Sequence, residues 1–272
     1  MNRSQITNAL LALTPRETSD LLEFEHFKKW TPDLLAMRFG VNHSTGNRRL
    51  HRLLRSGAIT VRRGYPLPAG GRERDLYALT PDGARMITRL RDRNANHLEA
   101  PDISNPIDNV HDLAALEVAI RSGCYSTARA FQERQFVCAG KTCSVIPDVE
   151  LISDDQRHRL FIEVEQTSRP DHITTKHQKY VDFFHTLTGP HPWLVILFPD
   201  EPTQKLLLAE HQAAARAADD DDELSLCYGC LAELRANHVT TLDGQFSARP
   251  GEAGQKISDG LLQCIYSLTP LY

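Results

Sequence analysis

The chain has 272 residues, of which 41% are hydrophobic and 24% charged, which is enough for two domains of ordinary size. No apolar run approaches the roughly 18 residues that a bilayer crossing requires, and no export-type apolar segment stands at the N-terminus, so a membrane role is excluded and a cytoplasmic protein is expected. The net charge of −4 hides an asymmetry: residues 1–100 carry 17 Lys and Arg against 10 Asp and Glu, whereas residues 101–272 carry 14 against 25, the pattern of a chain whose front half alone meets a polyanion.

In the front half, Thr14-Pro15, Thr31-Pro32 and Thr80-Pro81 each place a capping hydroxyl before a proline at the first helical position. Glu17, three residues after Thr14, completes a capping box. Apolar spacing predicts helices over 15–29, with Leu21, Leu22 and Phe27 inward, and over 32–39, ending at Gly40. Asn42 caps a third helix over 43–56 that stops at Gly57, and only Gly40-Val41-Asn42 separates the second helix from the third, which is helix-turn-helix spacing. Ile59 and Val61 then start a strand, Gly64 to Gly71 make a tip, and Leu76, Tyr77 and Leu79 return, so this hairpin reads as a wing. A helix over 81–93 completes a winged helix-turn-helix domain at 1–93, and the proline- and asparagine-rich stretch 94–109 reads as a linker.

On the third helix Leu50, Leu53 and Leu54 share one face, while Thr45, Arg48, Arg52 and Arg55 take the opposite one. Seven arginines and no acid lie between Arg38 and Arg63. Guanidinium groups suit phosphates and guanine edges, and the major groove admits such a helix. The expected partner is therefore double-stranded DNA, contacted by Thr45, Arg48, Arg49, Arg52 and Arg55, with Arg62, Arg63, Arg72 and Arg74 of the wing on the backbone or the adjacent minor groove. A homodimer on paired half-sites is expected by analogy with other winged-helix proteins.

Residues 110–272 read as an α/β domain: a helix over 110–122, a mixed segment to about 137, strands over 144–152 and 159–166, a helix over 171–186, a buried strand Trp193 to Phe198 and a helix over 202–217. Glu117 falls among Leu113, Leu116 and Ile120 on the apolar face of the first helix, where a carboxylate needs a partner. Alternation along Leu160 to Glu165 puts Glu163 and Glu165 on one face. A hairpin centred between Asp155 and Gln156 sets Asp148 opposite Glu163, and Asp148, Glu163 and Glu165 then converge as a candidate Mg²⁺ site.

Pro147-Asp148, then Phe161-Ile162-Glu163-Val164-Glu165-Gln166-Thr167, then Lys176 to Tyr180 resembles the replication-relaxation family of mobile-element proteins over roughly residues 10–200. The resemblance implies a winged helix joined to a PD-(D/E)xK nuclease-like domain, with Asp148 and Glu163 in the positions of that motif's acids and Glu117 as the preceding helical acid. Where the nuclease pattern has Lys, this chain has Glu165, and Lys176 or Lys179 on the following helix is the candidate substitute. The implied activity is metal-assisted phosphodiester hydrolysis by a protein of a plasmid or other mobile element, in company with replication or mobilisation proteins. The rival expectation is a transcriptional or relaxosome accessory regulator whose second domain is catalytically inactive and serves dimerisation or DNA holding.

Three weaker signals complete the reading. Cys227-Tyr-Gly-Cys230, with Cys138 and Cys143, has metal-ligand spacing, but core thiols are expected rather than a structural zinc. Gly140-Lys141-Thr142 imitates the end of a phosphate-binding loop, but Gln135 stands where the loop's first glycine belongs, so nucleotide binding is rejected. His172 and His177 flank the acidic strand as candidate bases.

Overall fold

Each of the three Thr-Pro pairs starts a helix in the computed structural model, with the threonine hydroxyl accepting from the backbone N–H three residues on. The structure describes residues 1–65, 74–91, 98–121, 128–152, 159–165, 170–187, 192–218, 225–232 and 247–248. It is mixed α/β and divides into two units, Met1–Leu116 and Glu117–Tyr272.

The first unit opens with α1 (Arg3–Leu11), which the sequence analysis did not expect although Asn2 and Gln5 form a capping box at its start. Next come α2 (Pro15–Leu22), a 3₁₀ turn (Glu23–Glu25), β1 (Lys29–Trp30), α3 (Pro32–Arg38), α4 (His43–Arg55), β2 (Ile59–Tyr65), β3 (Arg74–Leu79) and α5 (Pro81–Leu90). The helix expected to run to residue 29 stops at Leu22, because residues 29–30 pair with β3, Trp30 opposite Tyr77, as a third strand. Trp30 is fully buried, and its indole N–H donates to the Phe27 carbonyl at 2.8 Å. The antiparallel sheet runs β1-β3-β2. Leu21, Phe24, Leu35, Leu50, Leu53, Leu76 and Met86 fill the core between sheet and helices. Part of the expected wing tip and Arg72 lie outside the described residues.

A sixth helix, α6 (Pro106–Arg121), begins inside the stretch read as a linker and crosses the division between the units. Its larger, N-terminal part, up to Leu116, belongs to the first unit, where Asp112 pairs with the buried Lys29 at 2.6 Å.

In the second unit the elements are β4 (Arg129–Ala130), β5 (Arg134–Cys138), β6 (Lys141–Val145), β7 (Val149–Ile152), β8 (Arg159–Val164), α7 (Pro170–Phe184), β9 (Trp193–Phe198), α8 (Glu201–Ala218), β10 (Ser225–Cys230) and β11 (Ser247–Ala248). The main sheet runs β11-β10-β9-β8-β7-β4. Strands β8, β9 and β10 are parallel, with α7 and α8 as the intervening helices, and β7 and β4 are antiparallel. The single strand expected over 144–152 is two strands, broken at Ile146-Pro147-Asp148, where proline cannot donate to a ladder. Strands β5 and β6 form a separate hairpin turned by Ala139 and Gly140, both at positive φ, the geometry of a tight two-residue hairpin loop. The phosphate-loop imitation is this turn and the strand that leaves it. Phe161, Tyr180, Phe183, Phe184, Leu194, Ile196 and Phe198 form the core between sheet and helices.

Candidate functional site

In the first unit, α4 is seated by its small and apolar residues. Leu50 and Leu53 are fully buried, and the Asn42 side chain caps the helix by accepting from Thr45 N–H at 2.8 Å. Gly46 sets the approach to α3: a Cβ there would lie 2.4 Å from the Pro32 carbonyl oxygen and 3.2 Å from Ala36 Cβ. Any side chain at 46 would push the two helices apart.

With that face inward, Ser44, Arg48 and Arg55 are exposed, and Thr45, Asn47, His51 and Arg52 are half-buried. Arg48 also reaches Thr45 Oγ1 at 3.4 Å. On β2, Arg63 is exposed. The Arg74 side chain lies outside the described residues.

Two members of the expected arginine set are engaged elsewhere. Arg49 sits at the edge of the face, where its Nε meets both oxygens of the buried Asp20 at 3.0 Å and its guanidinium lies 3.6 Å from the centre of the Phe39 ring. A buried carboxylate must be paired, so Arg49 belongs to the scaffold and not to the outward face. Arg62 donates to the carbonyls of Ile103 at 2.6 Å and Ser104 at 3.2 Å, tying β2 to the stretch before α6. Ser44, Asn47 and His51 were missed by a reading that took only Thr45 and the arginines, although their phase on the helix places them beside Arg48 and Arg55.

In the second unit, the hairpin register is the one expected: Val149 pairs with Ile162 and Glu150 with Phe161, so Asp148 and Glu163 stand at facing positions. Asp148 accepts the Val164 N–H at 2.6 Å. Strand alternation puts Phe161, Glu163 and Glu165 toward α7, and the acids are buried, with Asp148 and Glu163 at 5% exposure and Glu165 at 7%. They are therefore not an idle solvent-facing row.

Helix α7 brings the cation. Lys176 lies 2.9 Å from Glu163 and 2.8 Å from Glu165, so of the two candidate lysines this is the one that reaches back, and Lys179 is exposed. One turn further, the Tyr180 hydroxyl donates to Glu163 Oε1. Burial, and next the Asp148 carboxylate, push Glu163 up from 4.5 to about 7 against the opposing pull of Lys176 and Tyr180. For Lys176, burial favours loss of the proton, but the carboxylates of Glu163 and Glu165 outweigh it and raise the ammonium above its ordinary value. Burial and Glu163 hold the Tyr180 hydroxyl well above its ordinary range, so it remains a donor.

The remaining predicted residues fall outside this knot. Glu117 is held by Arg121 at 2.8 Å, one turn along α6. His172 is exposed. His177 is fully buried, its Nε2 lying 3.1 Å from Nδ1 of the equally buried His211 on α8. His211 in turn faces Glu165 at 3.8 Å, and burial followed by the Lys176 charge draws it down to about 4. His211 thus borders the cluster, with His177 packed against its far side.

Glu150, fully buried on β7, pairs with Arg134. Among the described residues no group of three or more His, Cys, Asp or Glu is arranged to hold a metal ion, and no helix is long and apolar enough to cross a membrane. Cys138 and Cys143 lie on the β5–β6 hairpin and Cys230 is buried in β10.

Compared with known protein families, residues 26–191 match the family model described as Replication-relaxation. No curated protein and no solved structure matches the chain.

Proposed function

The chain belongs to the replication-relaxation family, and on that premise we propose that it is a double-stranded DNA-binding protein of a mobile element whose second unit is a metal-dependent phosphodiesterase module. The DNA-binding half is carried by one observation: α4, held by Gly46 and two buried leucines, turns Arg48 and Arg55 to solvent in a helix, turn, helix and hairpin order. That arrangement supports a winged helix-turn-helix with α4 in the reading position. Counterion release then makes its affinity fall steeply with added salt.

For the second unit, the support is the Asp148, Glu163 and Lys176 constellation. Two buried carboxylates at facing positions repel one another, and Glu163 is raised because the nearby positive charge does not offset burial and Asp148 together. A divalent cation relieves such repulsion, and Mg²⁺ needs only one or two carboxylates from a protein, with water and substrate phosphate completing its shell. Asp148 and Glu163 would hold it. When bound, it supplies charge to the scissile phosphate and lowers the pKa of an attacking water. Lys176 supplies from a helix the cation that the nuclease pattern places two residues after its second acid, where this chain has Glu165. Tyr180 and the Val164 amide orient Glu163 and Asp148.

One observation favours the rival reading, a regulator that does not cut: both oxygens of Glu163 already have partners, Tyr180 on one and Lys176 on the other. Incubation of the chain with supercoiled plasmid and Mg²⁺ or Mn²⁺ decides between them. Nicking that disappears in Asp148→Ala and Glu163→Ala supports the enzyme. Duplex binding without nicking supports the regulator.

A further inference from the structure

We propose that the Tyr77 hydroxyl fixes the hydrogen-bond polarity of Asn47 and His51, and that these two α4 side chains read base edges in the major groove. This rests on the DNA-binding reading of the first unit. Tyr77 is fully buried on β3, paired with Trp30 on one side and Val61 on the other. Its hydroxyl lies 3.0 Å from Asn47 Oδ1 and 3.3 Å from His51 Nε2, and the His51 ring meets it edge-on at 6.0 Å.

The assignment follows from counting hydrogens. A phenol has one, and Asn47 Oδ1 can only accept, so the Tyr77 hydrogen goes to Asn47. The phenol oxygen is then left to accept, and the group facing it is His51 Nε2, which must carry a hydrogen. Burial raises the Tyr77 hydroxyl above its ordinary value, so that hydrogen is in place at neutral pH. What remains for a ligand is the pair of Nδ2 hydrogens on Asn47 and the bare Nδ1 of His51, a donor and an acceptor one helical turn apart.

Both side chains are half-buried beside the exposed Ser44, Arg48 and Arg55. A phosphate offers acceptors only, whereas a base edge offers donors and acceptors side by side. Base edges do offer the complement. Purine N7, guanine O6 or thymine O4 accepts from Asn47, and the exocyclic amine of cytosine or adenine donates to His51. The arginines on the same face supply attraction to any duplex, whereas this pair distinguishes one duplex from another.

The test is selection by the full chain from a pool of random-sequence duplexes, followed by affinity measurements on the selected duplex and on an unrelated one. The wild type is expected to enrich a motif. Tyr77→Phe should lose about tenfold on the selected duplex, bind the unrelated duplex with unchanged affinity and salt dependence, and return a motif that is degenerate at one or two adjacent base pairs. Asn47→Ala, which keeps the Tyr77 ring in place, should lose preference at the same base pairs, and Arg48→Ala should weaken both duplexes alike. The proposal is overturned if Tyr77→Phe and Asn47→Ala keep the motif, or if they weaken both duplexes equally. A wild type that binds duplexes but enriches nothing also overturns it while leaving DNA binding intact. A wild type that binds no duplex removes the DNA-binding reading itself.

Discussion

On α4, Arg48 and Arg55 hold their charge out in solvent, whereas Glu163 on β8 and Glu165 just past its end are buried and meet Lys176 across the strand-to-helix gap. An exposed cation costs the fold little and is available to a partner from outside. A buried carboxylate must be answered from within, so the same number of charges does opposite things in the two units: one leaves its charge open to solvent, the other meets it with a cation inside the fold. Arg49 shows that the boundary between these uses runs through a single helix, since it lies beside Arg48 in sequence yet answers Asp20 inside.

Substitutions can sharpen that contrast. The largest effect expected is on stability: Arg49→Ala strands the Asp20 carboxylate, which is 1% exposed, and should cost about 3–5 kcal/mol in urea unfolding. A loss below 1 kcal/mol would return Arg49 to the DNA-facing set. Lys176→Ala leaves two carboxylates without their cation. Because the lysine is 27% exposed, a loss of about 2–3 kcal/mol is expected, lower than for a fully enclosed pair, and faster hydrogen exchange of the β8 and α7 amides would report it. Gly46→Ala should cost about 1–3 kcal/mol, the usual range for overpacking, seen as a lower melting temperature. By contrast, Arg48→Ala with Arg52→Ala should leave the melting temperature within a degree or two, since surface changes are small, while duplex affinity in fluorescence anisotropy falls well over tenfold.

The pH dependence of stability gives the smallest signal. Glu163 binds its proton more tightly in the fold than at its ordinary value of 4.5. Through this group the folded state holds more protons than the unfolded one between about 4.5 and 7, a contribution that falls as pH rises through that window, while His211, drawn down to about 4, contributes with the opposite sign. In chelator, the stability of the wild type relative to Glu163→Gln, which isolates the carboxyl, should therefore be lower at pH 7.5 than at pH 5. A relative stability that rises over the same window would contradict the raised carboxyl.

Much of this was readable from the chain because it is local. Threonine caps, the Gly40 and Gly57 stops and the alternation of β8 all act within a few residues, and the β7–β8 register followed from centring one turn. The partners of Arg49 and Glu163 were not readable for the opposite reason. Asp20 is 29 residues from Arg49, and whether Lys176 or Lys179 faces β8 depends on the phase of α7 against a sheet that no single segment contains. Helix α1 escaped for a third reason: its apolar residues make little of a stripe, and only the Asn2 and Gln5 caps announced it.

The close crossing at Gly46 separates what can vary in the first unit from what cannot. Because the helix pair is locked by the absence of a side chain, the exposed positions 44, 48 and 55 are mounted on a fixed base and can be exchanged without disturbing it. On the proposed DNA-binding reading, new target preferences could then arise by swapping those few residues while the mount stays as it is, which would make this helix a practical starting point for directed selection.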